Sequence, residues 1–69
     1  DMIRVYGKED CAKCKNLKMI LEGKELEFEY VEDKKQLMMI ASKARIMSAP
    51  VVEYQEKVYS MDDFLRVIA

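Results

Sequence analysis

The sequence predicts a single α/β domain over residues 1–69, of order β-α-β-α-β-β-α, with a four-stranded mixed sheet and helices on both faces. Three observations predict it. Segments of strand period and of helix period alternate along the chain, and two strand-like runs late in the sequence are separated by only two residues. The third is length: 69 residues suffice for one core and cannot divide it. Right-handed crossover connections then set the first two strands parallel, and the hairpin completes a mixed sheet.

Each element has its own signal. Met2-Ile3-Arg4-Val5-Tyr6 is short, β-branched and aromatic and stops at Gly7, the pattern of a buried first strand. A loop from Gly7 to Asp10 follows. From Cys11 to Glu22, Cys14, Leu17, Ile20 and Leu21 recur at helical spacing; Asp10 is the expected N-cap, and Gly23 is placed to close the helix in the left-handed conformation. The run from Glu25 to Val31 alternates polar with apolar, so Leu26, Phe28 and Tyr30 are expected to point inward. Leu37, Ile40, Ala41 and Ala44 form the apolar face of a second helix, from about Lys34 to Arg45. Beyond Pro50, Val51-Val52-Glu53-Tyr54 and Lys57-Val58-Tyr59 flank Gln55-Glu56, a hairpin whose turn carries neither Gly nor Asn. Ser60 with Asp63 makes a short-armed capping box ahead of a last helix, Met61 to Ile68.

Composition narrows the function. At 51% hydrophobic and 36% charged, with one Pro and two Gly, the chain is too apolar for disorder and too punctuated for a coiled coil. Twelve basic against thirteen acidic residues leave a net charge of -1, so no global field recruits nucleic acid or an anionic membrane. The longest apolar run, Leu37 to Ala41, is far below a membrane span, and no charged-then-apolar leader is visible. A soluble, cytoplasmic monomer is the expectation. Met2 is read as the native start, with Asp1 an addition ahead of it.

Two cysteines are too few for a secreted disulfide scaffold, and a bridge from Cys11 to Cys14 closes too small a loop to stabilise the fold much. Its value would be chemical. With no His in the chain, Cys–His nucleophile pairs, His acid–base catalysis and mixed Cys/His zinc sites all fall away. Cys11-Ala12-Lys13-Cys14 stands at a helix start, where unpaired amides and the helix dipole favour thiolate over thiol at Cys11. Cys11 is expected to face solvent and attack a substrate disulfide, while Cys14, one turn in and more buried, resolves the mixed disulfide. Lys8, Lys13 and Lys15 add to thiolate stabilisation; Glu9 and Asp10 oppose it.

The spacing by itself serves metal binding as well as redox exchange. A copper or zinc site needs about four ligands, so this chain would have to dimerise or enlist carboxylates. A strand before the motif, a helix after it and a Pro opening a later strand favour redox chemistry, and no metal ligand is assigned. The six methionines, Met38, Met39 and Met47 among them, are expected to fill core gaps rather than to hold a soft metal. The Lys34-Lys35 pair and the Glu25, Glu27 and Glu29 face read as solvated surface.

Val5-Tyr6-Gly7-Lys8, followed by Cys11 and Cys14, resembles the opening of the glutaredoxins of the thioredoxin superfamily, where a strand ends in an aromatic and a Lys stands three residues before the nucleophile. The resemblance runs over nearly the whole chain and implies a minimal thioredoxin/glutaredoxin-like fold. Ser48-Ala49-Pro50-Val51-Val52 is similar to the family's loop before the third strand. That similarity implies a cis Ala49–Pro50 bond and pairing of the Ala49 backbone with bound substrate. Glutathione-dependent members share a Gly-Gly-x-Asp segment after the fourth strand. Here Tyr59-Ser60-Met61-Asp62 keeps Asp62 and replaces the glycines that let glutathione approach the backbone.

The Ala-Pro-Val-Val run and the Tyr59-Ser60 pair are more similar to redoxins that take electrons from thioredoxin reductase and pass them to ribonucleotide reductase. Those usually carry Trp-Ser-Gly-Phe, which Met61-Asp62 does not continue. The resemblance thus implies catalytic Cys11 and Cys14 and a substrate-binding set of Lys8, Ala49, Pro50, Tyr59, Ser60 and Asp62. It implies no tightly bound cofactor, with glutathione or a thioredoxin reductase as the external electron source. Its substrates are disulfide-containing proteins, ribonucleotide reductase among them, or glutathione mixed disulfides. Small copper chaperones also place a CxxC between a first strand and first helix, but with a Met where this chain has Glu9 and with a strand, not a helix, at the end. Glutaredoxins that hold an iron–sulfur cluster between two subunits usually have a single-Cys motif, unlike Cys11 with Cys14.

Overall fold

The structure, a computed structural model, describes residues 2–69; Asp1 lies outside the described residues. The elements are β1 (Ile3–Gly7), α1 (Ala12–Gly23), β2 (Phe28–Glu32), α2 (Lys34–Ala44), β3 (Val51–Tyr54), β4 (Lys57–Ser60) and α3 (Met61–Val67). They form one four-stranded sheet in the order β2-β1-β3-β4. β1 runs parallel to β2 and antiparallel to β3, which pairs antiparallel with β4. This is the predicted α/β arrangement.

β1 is central because it is apolar on both sides. Ile3 and Val5 face one layer, where Val52 of β3, Leu17 and Leu21 of α1 and Phe64 of α3 complete a core. Tyr6 faces the other, joined by Val51 and by Leu37 of α2. Thus α1 and α3 cover one face of the sheet and α2 the other. Edge strand β2 contributes to both layers, Phe28 and Tyr30 to the first and Val31 to the second. No helix among the described residues is long and apolar enough to cross a membrane.

The caps decide the helix ends. Asp33 caps α2, its carboxylate accepting from the amides of Lys35 at 2.9 Å and Gln36 at 3.2 Å, and Ser60 caps α3 by accepting from Asp63 at 3.2 Å. The Gln36 backbone bond is the first cause holding the Asp33 carboxyl below the usual carboxylate range. Two expectations at α1 are corrected. Asp10 is not the N-cap: it turns through the left-handed region at φ 53°, and Cys11, extended at φ -119°, caps the helix with its own sulfur. Gly23 is simply the last helical residue. The left-handed residue is Glu25, at φ 59°, because burying Leu26 against the core draws its amide back to the Leu21 carbonyl at 3.0 Å, while the Glu25 amide meets the Glu22 carbonyl at 3.0 Å.

The hairpin turn forms at the predicted residues in a demanding conformation. Gln55 and Glu56 both have positive φ, 52° and 65°, the backbone that matches a two-residue turn to twisted strands. Pairing of Tyr54 with Lys57 and burial of Val51 and Val52 hold side-chain-bearing residues in a shape that Asn and Gly adopt more readily.

Candidate active site

The site is built at the C-terminal end of β1. Gly7 ends the strand, the exposed residues Lys8 to Asp10 cross over the sheet edge, and the left-handed Asp10 turns the chain into Cys11. A Cβ at Gly7 would stand 2.7 Å from Cζ of Tyr30 and nearer still to its hydroxyl, so a side chain there would force the Tyr30 ring to move. The Tyr30 ring is held from the α1 side by Lys18, whose Nζ lies 4.2 Å from the ring centre. Burial, with a smaller contribution from Glu32, pushes the Tyr30 phenol up, so it stays neutral beside the loop.

At the start of α1 the Cys11 sulfur accepts a hydrogen bond from the Cys14 amide at 3.1 Å, and the Lys15 amide reaches the Cys11 carbonyl at 3.2 Å. An amide that would be left unpaired at a helix N-terminus is thereby aimed at sulfur, and such a donor stabilises negative charge there. The two sulfurs are joined in a disulfide across a Cα separation of 5.3 Å. Cys14 is wholly buried, and 8% of Cys11 is exposed. Cys11 is thus less open than the sequence reading expects, because as the cap its side chain folds back over the first turn. Cys14 offers no surface, so what exposure the pair has belongs to Cys11.

Register brings the second half of the site alongside. Tyr6 pairs with Val51, so continuing the ladder sets Pro50 across from Gly7. The Ala49–Pro50 bond is cis and Pro50 is fully buried. Among the described residues no backbone hydrogen bond engages Ala49. In front of it lies a groove of about 320 Å³, walled by Leu37, Met38 and Ala41 of α2 and by Ile46, Met47, Ser48 and Ala49 of the following loop. Lys8 reaches the same groove and is its only charged wall among the described residues. A second recess on the other side of Lys8 alternates charge, with Glu9, Glu32 and Lys34.

Of the sequence-predicted binding residues, the groove therefore gathers Lys8 and Ala49, with Pro50 as its buried support. Tyr59, Ser60 and Asp62 are not on its walls. The Tyr59 ring packs against Phe64, 5.9 Å between centres, in the α1–α3 layer. Ser60 stands opposite Val51, at the Pro50 end of the sheet, with its hydroxyl accepting from the Asp63 amide. Asp62 is exposed on the first turn of α3.

The groove corrects the reading of the methionines. Met2, Met19, Met38, Met39 and Met47 are exposed, Met47 at 99%, and Met61 alone packs on the core. The signal was present for Met38 and Met39: the Leu37-Ile40-Ala41 stripe that buries α2 leaves positions 38 and 39 off its axis. Nothing comparable marks Met47, which lies in a loop. Among the described residues no three His, Cys, Asp or Glu side chains gather as metal ligands.

No family model matches this chain, and no curated protein matches it.

Proposed function

We propose that the chain is a glutaredoxin-like thiol–disulfide oxidoreductase that carries electrons to disulfide-containing proteins. The observation that carries this reading is the disulfide pairing of Cys11 and Cys14 at the start of α1, with the Cys11 sulfur accepting a helix-start amide and Cys14 sealed in the core. In the reduced protein the Cys11 thiolate attacks a substrate disulfide, forming a mixed disulfide and releasing the first substrate thiolate. Cys14, deprotonated as it attacks, displaces the second substrate thiolate from the Cys11 sulfur and closes the bond present in the structure. Two electrons have then left the protein for the substrate, and an external reductant must restore them.

The cis Ala49–Pro50 bond agrees with what the family resemblance implies, and the unengaged Ala49 backbone leaves room for an extended substrate segment to pair there. Apart from Lys8 and Ser48 the groove walls are aliphatic or thioether, which suits an apolar peptide segment. Where glutathione-dependent glutaredoxins have paired glycines, this chain has a Tyr59 ring packed on Phe64 and a Ser60 hydroxyl committed to a cap. The proposed donor is accordingly a thioredoxin reductase, and ribonucleotide reductase is a candidate recipient.

The test supplies NADPH and oxidised protein with either thioredoxin reductase or glutathione plus its reductase, and follows NADPH oxidation with insulin as disulfide acceptor. Turnover with thioredoxin reductase is expected. Rapid turnover with glutathione alone would overturn the donor assignment, and no turnover with either, or with dithiothreitol, would overturn the activity.

A further inference from the structure

We propose that Met38 and Met47 are an oxidation-sensitive gate on the groove that Lys8 and Ala49 line, closed to protein substrates by hydroperoxide and reopened by sulfoxide reduction. The inference rests on the dithiol reading above and extends it to regulation.

Both thioethers stand where they contribute little to folding. Met47 is 99% exposed and Met38 59%, yet both line the apolar groove that leads to the cis Ala49–Pro50 bond. A substrate segment seated there would cover them, so their polarity sets how well it docks. The chemistry is a two-electron oxidation: the methionine sulfur attacks a hydroperoxide, an S–O bond forms, the O–O bond breaks, and an alcohol or water leaves with the proton. The product is a polar sulfoxide on a wall shared with Leu37, Ala41, Ile46, Ala49, Ser48 and Lys8, and docking an apolar segment against it must strip water from a strongly polar group.

The disulfide state makes the methionines the exposed target. With Cys11 and Cys14 joined, neither sulfur is a thiolate, and Cys14 has no surface. Met2, Met19 and Met39 are exposed about as much as Met38 but do not line this groove, so they serve as internal controls.

The oxidised protein is treated with hydrogen peroxide, sulfoxides are located by mass spectrometry, the disulfide is reduced with dithiothreitol and the excess removed. Reduction of insulin and of bis(2-hydroxyethyl) disulfide, a probe too small to need the groove, is then followed, each variant being compared with its own untreated sample. We expect sulfoxide at Met38 and Met47 and a rise of about threefold or more in the insulin concentration that half-saturates the single-turnover rate, with the small probe unaffected and insulin reduction recovered by methionine sulfoxide reductase. Met2→Leu/Met19→Leu/Met39→Leu should keep the peroxide sensitivity, and Met38→Leu/Met47→Leu should lose it. Unchanged insulin kinetics with both groove methionines oxidised would overturn the gate while leaving the dithiol reading intact. Equal losses on both probes would also overturn it, by placing the damage at the cysteines. Reduction of neither probe by untreated protein would overturn both readings.

Discussion

Replacing Gln55-Glu56 by Asn-Gly should stabilise the protein by about 1 kcal/mol. Both residues sit at positive φ, 52° and 65°, in a two-residue turn between β3 and β4. A side-chain-bearing residue in the left-handed region costs roughly 1–2 kcal/mol. Gly at position 56 removes that cost, and Asn at position 55 tolerates the conformation better than Gln. Against this gain stands the greater freedom of Gly in the unfolded chain, about 0.5–1 kcal/mol. The 3.4 Å bond from the Gln55 amide to the Tyr54 hydroxyl is also lost, an exposed contact that contributes little. The net gain should raise the urea midpoint with an unchanged slope, and raise Tm by roughly 4–8 °C for a domain of this size. The turn lies at the far end of β3 from Pro50, so disulfide reduction should not change. A midpoint equal to or below that of the parent protein would refute the reasoning.

Three further outcomes are expected. Phe64 is fully buried between Tyr54 and Tyr59, each 5.9 Å away, so Phe64→Ala should cost about 3–5 kcal/mol in chemical denaturation, a large part of a small domain's stability. Gly7→Ala drives a Cβ into the Tyr30 ring and should destabilise by about 1–3 kcal/mol, with Tyr30→Ala, which is destabilising alone, showing strong coupling to it in a double-mutant cycle. Asp33 has its carboxyl pKa lowered by the α2 cap, so its contribution is present above the ordinary carboxylate range and is lost as pH falls through the lowered folded value. Asp33→Asn should therefore flatten the acid limb of a Tm-versus-pH profile below about pH 4.

Element order and core were legible because both rest on periodicity. Leu37, Ile40 and Ala41 name the buried face of α2, and the two-residue gap at Gln55-Glu56 fixes the β3–β4 register without a turn-specific residue. The helix ends were less legible. Asp10 carries the better capping side chain, but the geometry that lets Cys14 reach Cys11 also puts the Cys11 sulfur over the first amides, and tertiary burial of Leu26 outweighs the left-handed preference of Gly23. The cysteine pair and the cis bond could be anticipated from motif and resemblance. The groove could not, since its walls come from α2 and from a loop with no motif, and only the fold places Met38 and Met47 beside Lys8.

The division of labour between the two sulfurs is tested most directly by mass spectrometry of single-Cys variants after exposure to bis(2-hydroxyethyl) disulfide. The account predicts that Cys14→Ser retains one hydroxyethylthio group on Cys11, and that Cys11→Ser acquires none while folded and loses disulfide reduction. A Cys11→Ser variant that forms the adduct at Cys14, or that reduces insulin as the parent does, would contradict it.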